Sequence, residues 1–217
     1  MVLKSIEDLT PSNKDKATVV ATFDMPEQQS ELQVTYEAMA DGRIHVDMHF
    51  TPGNKALPEM PRLGMRMILK ADYDQMTWLG RGPQENYADR KSGYLFGKYS
   101  ASVWEQYHPY VRAQETANKC DVRWFTLASK ANKGLKVVGD EPLSVSAWNF
   151  PQADLLYAPS MQEHRHGGCV DKKPMVWVNI DHRQMGVGGD NTWGAMVHPE
   201  YTITPHEWSY GFTIIKK

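Results

Sequence analysis

Cysteine is scarce in this sequence, which excludes a fold that depends on a disulfide framework. The 217 residues include two cysteines, Cys120 and Cys169, whereas small disulfide-dependent domains carry several pairs. A single bridge between them is one alternative, but we favour two buried free thiols, since free cysteine behaves as a small apolar core residue. A chain of this length buries about 70% of its unfolded surface, so its core needs no cross-links.

The sequence also lacks a basic excess and any long apolar run. Its 24 Lys and Arg are offset by 26 Asp and Glu, which argues against binding to nucleic acid or to an anionic membrane. No segment approaches the ~20 apolar residues that a membrane-spanning helix needs. The N-terminal MVLKSIEDLT has an acidic residue at position 7 and no apolar h-region, unlike a signal peptide. We therefore expect a cytoplasmic protein.

Motifs of nucleophilic and phosphate-binding enzymes are missing as well. The sequence has no G-x-S-x-G nucleophile elbow, no P-loop and no G-x-G-x-x-G segment after a strand. The glycine-rich segment Gly186–Asp190 does not open a helix, so it does not predict a phosphate cradle. We expect no catalytic residue in this chain.

What the sequence does contain is alternation of apolar and polar residues, the pattern of half-buried strands. It is clearest at Glu31–Ala40 and Arg43–Phe50, which flank Asp41-Gly42. This dipeptide predicts a hairpin with a type I′ turn. His45 and His49 alternate with apolar residues, so the hairpin covers a core on one side only.

Further short strands are predicted at Ala17–Asp24, Leu63–Lys70, Met76–Leu79, Tyr94–Tyr99, Cys120–Leu127, Leu135–Val138, Leu143–Phe150, Met175–Ile180 and Glu207–Lys217. The best helical candidate is Pro151–Glu163, which Pro159 limits to a turn or two. The chain length allows one large all-β domain or two small ones, but no clear interdomain linker is present. Ten or more short strands predict an all-β fold, a large antiparallel β-sandwich in a single domain over residues 1–217.

One stretch, Met175–Gly194, combines a strand with a shaped loop. The strand is followed by MGVGGDNTWG, whose four glycines admit positive φ and close backbone approach. Trp193 stands in this loop with few sequence neighbours to bury it. Either it fills a core, or it is presented to a ligand or a partner.

Two acidic residues lie in the loop Gly80–Arg90. Glu85 and Asp89 are a candidate catalytic pair, since glycosidases use two carboxyl groups about 5–5.5 Å apart for retention or about 6.5–9.5 Å apart for inversion. Acids beside Arg81 and Arg90 in a Gly/Pro loop more often form a hydrogen-bonded network that holds the loop. We favour this structural interpretation.

Zinc-capable side chains cluster in the segment that contains His164, His166, Cys169 and Asp171. Their spacing fits no standard zinc module, and no C-x-x-C partner is present. We therefore predict histidines that anchor a surface loop, rather than a metal site.

Several of these segments belong to a longer resemblance to a known family. Trp78–Gly93 (WLGRGPQENYADRKSG), Tyr107–Leu127, His164–Gly167 and Trp177–Gly194 resemble, in the same order, the C-terminal small-chain domain (domain 5) of large bacterial β-galactosidases of glycoside hydrolase family 2. The resemblance implies a "super-sandwich" fold similar to that of galactose mutarotases.

What the resemblance implies is an accessory role rather than catalysis. The intact enzymes hydrolyse terminal β-D-galactosides, such as lactose, with two glutamates of a TIM-barrel domain, and no glutamate of this chain inherits either role. Mg²⁺ and Na⁺ are expected in the intact enzyme and no cofactor in this chain. One family tryptophan at the rim of the barrel's pocket matches Trp193 and stacks on the aglycone part of the substrate, where an indole face suits the C–H face of a sugar. The implied partners are the TIM-barrel domain and a β-galactoside.

Two other hypotheses stay open. The chain is a free-standing carbohydrate-binding or mutarotase-like module, with His164 or His166 as acid–base groups, or it is a purely structural subunit. The resemblance also implies further strands before the hairpin Glu31–Phe50, so we expect a domain truncated at its N-terminus. Sheet edges without neighbours invite pairing between chains, which predicts a homo-oligomer.

Overall fold

A computed structural model gives the fold, and it describes residues 1–11, 15–53, 57–110, 115–155, 170–191 and 193–217. Most of these residues lie in strands, as the alternating pattern predicts. In chain order, the strands of the described residues are β1 (Val2–Asp8), β2 (Lys16–Met25), β3 (Ser30–Met39), β4 (Ile44–Thr51), β5 (Arg62–Lys70), β6 (Gln75–Gly82), β7 (Leu95–Ser102), β8 (Lys119–Ala128), β9 (Gly134–Trp148), β10 (Met175–Gln184) and β11 (Trp208–Lys216). Short 3₁₀ helices lie at Trp104–Gln106, Gln152–Leu155 and Pro199–Tyr201.

The strands form one antiparallel sheet that branches at β9. Its main path runs β1-β2-β3-β4-β11-β9-β8-β6-β7. The first part of β9 pairs with β11, and its last residues pair with β10. β10 pairs in turn with β5. The branch therefore forms a second layer.

The main hydrophobic core lies between these two layers. One cluster of buried side chains joins Val34 of β3 and Phe212 of β11 to Leu63 of β5 and Val178 of β10. Residues of both branches thus share one core, which confirms the predicted all-β antiparallel sandwich. A smaller cluster around Trp148 and Phe150 packs at the end of β9.

β3 and β4 form the predicted hairpin, but the predicted turn type is wrong. A type I′ turn needs positive φ at both central residues, whereas in this turn φ is positive only at Gly42 (+85°). The Gly42 N–H donates to Met39 O (2.9 Å), and the Met39 N–H donates to Arg43 O (2.8 Å). The loop therefore has three residues and ends with a left-handed glycine.

Two strand predictions also need correction. The sequence predicts two strands at 135–138 and 143–150, but both belong mostly to the single strand β9. A Cβ on Gly139 would lie 2.3 Å from Glu141 O, so glycine lets the backbone fold tightly there, where the pairing of β9 with β8 shifts register. β1 has no counterpart among the predicted strands, because its apolar residues do not alternate and stay exposed.

The remaining expectations about local structure divide between described and undescribed residues. The helical candidate Pro151–Glu163 is a 3₁₀ helix at Gln152–Leu155, and residues 156–169 lie outside the described ranges, with His164, His166 and Cys169 among them. Cys120 is buried with a free thiol. Within the described ranges, helices are all too short and too polar to cross a bilayer. Truncation at the N-terminus stays a prediction.

Candidate functional site

Trp193 lies in the loop that connects β10 to the 3₁₀ helix Pro199–Tyr201. Its side chain is 92% exposed, and that of Met196 on the same loop is 75% exposed. Of the two alternatives that the sequence left open, the structure therefore excludes a core role for Trp193. An indole in water forgoes roughly 1.5–3 kcal/mol of burial free energy that a large apolar side chain gains in a core.

Hydrogen bonds give the Trp193 loop a defined shape. The Trp193 N–H donates to Asn191 Oδ1 (2.8 Å). The His198 ring pairs with the Asp190 carboxylate, with Nε2 2.9 Å from Oδ1. That hydrogen bond raises the pKa of His198. At the start of the loop, the Gly186 N–H donates to Tyr201 O (2.9 Å).

Two glycines of this loop are required for close approach. A Cβ on Gly189 would lie 2.1 Å from Ala195 O, and a Cβ on Gly186 would lie 2.7 Å from Asp89 Cγ. Neither distance is tolerated between real atoms, so a larger residue at either position would displace the loop. The sequence interpretation of a shaped glycine loop is confirmed.

The Gly80–Arg90 loop reaches the Trp193 loop through Asp89. Oδ2 of Asp89 accepts hydrogen bonds from the Val187 N–H (2.9 Å) and the Gly188 N–H (2.7 Å). These partners are almost a hundred residues apart in sequence, and no pattern in the sequence predicts their contact. Two of the four segments that carry the family resemblance, Trp78–Gly93 and Trp177–Gly194, therefore meet in space.

Glu85 forms the predicted network that holds its own loop. The carboxylate is 8% exposed and accepts hydrogen bonds from Arg90 Nη2 (2.6 Å), the Ala117 N–H (2.7 Å) and the Tyr110 hydroxyl. Arg81 pairs instead with Asp121 (2.5 Å). Glu85 and Asp89 thus belong to different sets of hydrogen bonds.

Two further charged residues are buried, and the sequence pattern did not single them out. Lys119 is fully buried, its Nζ donates to Ala117 O (3.0 Å) and lies 5.0 Å from the Trp78 ring centroid. Burial lowers the pKa of Lys119 to about 7. Asp181 is 1% exposed and lies 2.8 Å from Arg62 Nε; burial raises the pKa of Asp181, and Arg62 opposes that rise.

A cavity of about 380 Å³ lies beneath the Trp193 loop. Pro61, Glu115 and Gln184 line it, together with residues 185–189 and 194–197 of the loop. Glu115 is paired with Arg62 at 3.1 Å, and burial raises the pKa of Glu115. The cavity means that side-chain packing supports the loop only in part.

Metal-ligand geometry is not found in the described ranges, where no group of three or more His, Cys, Asp or Glu side chains converges. Asp171 is described, but the other members of its sequence cluster, His164, His166 and Cys169, are not.

Nearly the whole chain matches one known protein family. Residues 2–214 match the family described as "Beta galactosidase small chain". The match includes both the Gly80–Arg90 loop and the Trp193 loop.

Individual relatives are also β-galactosidases. The chain is 37% identical to a β-galactosidase of Priestia megaterium over 171 residues, which are 78% of this chain and 16% of that protein. It is 32% identical to a β-galactosidase of Lactobacillus delbrueckii subsp. bulgaricus over 201 residues, 91% of this chain and 19% of that protein. The chain therefore spans less than a fifth of the length of these relatives.

A solved structure supports the fold. A GH36 α-galactosidase, AgaA, from Geobacillus stearothermophilus aligns with 99% of this chain and 27% of its own at a TM-score of 0.54. The sequence identity is 11%, so this likeness concerns the fold alone.

Proposed function

Because the chain belongs to the β-galactosidase small-chain family, we propose that it is the accessory C-terminal domain of a cytoplasmic β-galactosidase of glycoside hydrolase family 2. The enzyme hydrolyses terminal β-D-galactosides such as lactose. Its catalytic carboxylates and its Mg²⁺ and Na⁺ sites belong to the rest of the enzyme, in particular a TIM-barrel domain. This chain completes the substrate pocket through Trp193, supports assembly and is inactive alone.

The observation that carries the proposal is the exposure of Trp193 on a loop of fixed shape. The 92% exposed indole stands beside an anchored backbone, so a partner that docks on this face meets a preformed aromatic surface. A sugar ring stacks on such a surface through its C–H face, and contacts of this kind contribute on the order of 1 kcal/mol. Trp193 therefore suits the aglycone side of a β-galactoside.

The test is Trp193→Ala in the assembled enzyme. We expect KM for lactose to rise about fivefold, which is the effect of ~1 kcal/mol, while kcat for the galactosyl-transfer step changes little, because the indole binds the aglycone and not the reacting carbon. Steady-state kinetics and the ratio of hydrolysis to transfer to an added acceptor measure both effects. Phe96→Ala, which removes an exposed aromatic ring from β7, is the matched control.

Two results would contradict this function. Unchanged KM and an unchanged hydrolysis-to-transfer ratio in the Trp193→Ala enzyme would remove Trp193 from the substrate site. Hydrolysis of a chromogenic β-galactoside by the purified 217-residue chain would show that the chain has catalytic groups of its own.

A free-standing carbohydrate-binding or mutarotase-like module is the second candidate. The exposed indole beside a cavity of about 380 Å³ is an arrangement that favours it, since ligand sites combine an aromatic surface with a concave one. Titration of galactose and lactose into the isolated chain, followed by the NMR signal of the Trp193 indole, separates the candidates. Binding at millimolar concentration or tighter favours the module.

A further inference from the structure

We propose that Asp89 is a positioning residue, which places Trp193 for substrate binding although it lies on a different loop. The inference rests on the proposed function of Trp193 and adds to it the group that fixes the loop's position. Asp89 touches neither the indole nor, on this proposal, the substrate. It acts through the backbone of Val187 and Gly188.

Hydrogen bonds to the sheet hold the backbone segment that carries Asp89. Within the Gly80–Arg90 loop, the Asn86 N–H donates to Asn118 O (2.8 Å), and Asn86 Oδ1 accepts from the Cys120 N–H (2.8 Å). Asn86 and Tyr87 are 0% and 1% exposed. These contacts clamp the segment just before Asp89 to the start of β8, so the carboxylate projects from a rigid part of the molecule.

The Asp89 carboxylate is bound by backbone N–H groups of the Trp193 loop, which form a small anion site. Two successive N–H groups, of Val187 and Gly188, point to the same oxygen, Asp89 Oδ2, at 2.9 and 2.7 Å. Consecutive N–H groups form a concave site for an anion, and a charged acceptor makes each bond stronger than a neutral one. The lack of a side chain at Gly186 gives the carboxylate room to enter, since a Cβ there would lie 2.7 Å from Asp89 Cγ.

Other contacts fix the loop less strongly. Beneath it lies the cavity of about 380 Å³, and Met196 is exposed, so apolar packing does little to set its position. The pair of Asp190 and His198 is open to water, with side chains 77% and 50% exposed, and such pairs contribute little. The Asp89 contact and the Gly186 bond to Tyr201 are therefore the main anchors at the start of the loop.

Two substitutions separate the contribution of the Asp89 charge from that of its hydrogen-bond acceptor. Asp89→Ala removes both bonds. Asp89→Asn retains an oxygen that accepts both bonds without the charge, and it places an amide N–H₂ where Oδ1 now lies buried without a hydrogen-bond partner among the described residues. We expect Asp89→Asn to fall between the wild type and Asp89→Ala.

The first experiment measures kinetics in the assembled enzyme. Asp89→Ala should raise KM for lactose by about the same factor as Trp193→Ala, with kcat little changed. The double variant should be no worse than Trp193→Ala alone, because the two residues act as one unit. Methyl β-D-galactoside, whose aglycone is too small to stack on the indole, should show neither effect. Asp140→Ala, which removes a half-exposed carboxylate that contacts His45, is the matched control.

The second experiment measures anchoring directly in the 217-residue chain. Hydrogen exchange at the amides of Val187 and Gly188 should be at least tenfold faster in Asp89→Ala than in the wild type and intermediate in Asp89→Asn. Amides in the middle of β10 report on global stability and should not change. Equal acceleration at all amides would indicate general destabilisation and would overturn the inference.

The outcomes distinguish this inference from the proposed function. If Trp193→Ala raises KM and neither Asp89 variant does, the inference fails while the function of Trp193 stands. If the effects of Trp193→Ala and Asp89→Ala add in the double variant, Asp89 acts by another route and the inference also fails. If Trp193→Ala has no effect on KM, the proposed function and the inference fail together.

Discussion

At the scale of single residues, Lys119 is the most unusual group in the described part of the chain. It is a fully buried amine whose Nζ donates to the Ala117 carbonyl beside the face of Trp78. Desolvation disfavours the charged amine, which is why burial lowers the pKa of Lys119 from 10.5 to about 7. The side chain therefore opposes folding wherever the unfolded chain keeps it protonated.

This burial predicts a pH dependence of stability that Lys119→Met should remove. Between about pH 7 and pH 10 the unfolded state binds one more proton at this residue than the folded state, so the free energy of unfolding rises with pH. Relative to Lys119→Met, the wild type should gain about 1.4 kcal/mol per pH unit across this window. Urea unfolding at pH 7, 8, 9 and 10 measures it. A pH-independent difference between the two proteins would contradict the prediction, and the exposed Lys133→Met is the control.

Residue roles were predictable only where they depend on sequence neighbours. The glycines around Trp193 and the acids and arginines around Glu85 are local patterns, and both interpretations are confirmed. The contact of Asp89 with Val187 and Gly188 spans 98 and 99 positions, so only the folded sheet brings it about. The same is true of Lys119, because its burial depends on strands that are distant in sequence.

At the scale of elements, the Trp193 loop depends on backbone that carries no side chain. Gly189→Ala places a Cβ 2.1 Å from Ala195 O, a backbone atom that moves only if the loop moves. We expect this substitution to raise KM for lactose in the assembled enzyme about as much as Trp193→Ala does. Gly93→Ala is the control, since a Cβ on Gly93 meets no atom within 4 Å. If the Gly189→Ala enzyme has wild-type kinetics, the loop accommodates the added Cβ and the prediction is wrong.

The alternating pattern predicts a strand most clearly where one face is buried. β3 and β4 alternate cleanly because their inner residues, such as Val34 and Val46, are buried. The sequence predicts two strands in place of β9, because its bend at residues 139–142 contains glycine and proline, which in sequence also mark turns. β1 was missed because neither of its faces is buried, so no alternation marks it.

At the scale of the whole molecule, β1 is an apolar edge strand, with no other strand of the described residues beyond it. It is the end of the main sheet path, and the side chains of Val2, Leu3 and Ile6 are 58%, 50% and 64% exposed. An exposed edge that carries apolar side chains favours pairing with another chain. The predicted homo-oligomer therefore has a candidate contact surface.

If the chains associate through β1, a charge added to this strand should dissociate the oligomer. Ile6→Lys should shift the isolated protein from dimer or larger species to monomer in light scattering, because lysine on an edge strand opposes strand pairing. Leu95→Lys, on β7 at the other end of the path, is the comparison. Dissociation by Leu95→Lys and not by Ile6→Lys would place the contact on β7, and a monomeric wild type at working concentration would contradict association itself.

The contact between Asp89 and the loop after β10 has a consequence for how such chains recombine. A crossover anywhere between residues 90 and 185 would join an aspartate from one parent to a glycine loop from another. The hybrid keeps a placed indole only when both parents share the carboxylate, the glycines that admit it and the spacing between them. The Gly80–Arg90 loop and the Trp193 loop should therefore come from the same parent. Chimeric enzymes are best designed with crossover points outside residues 90–185.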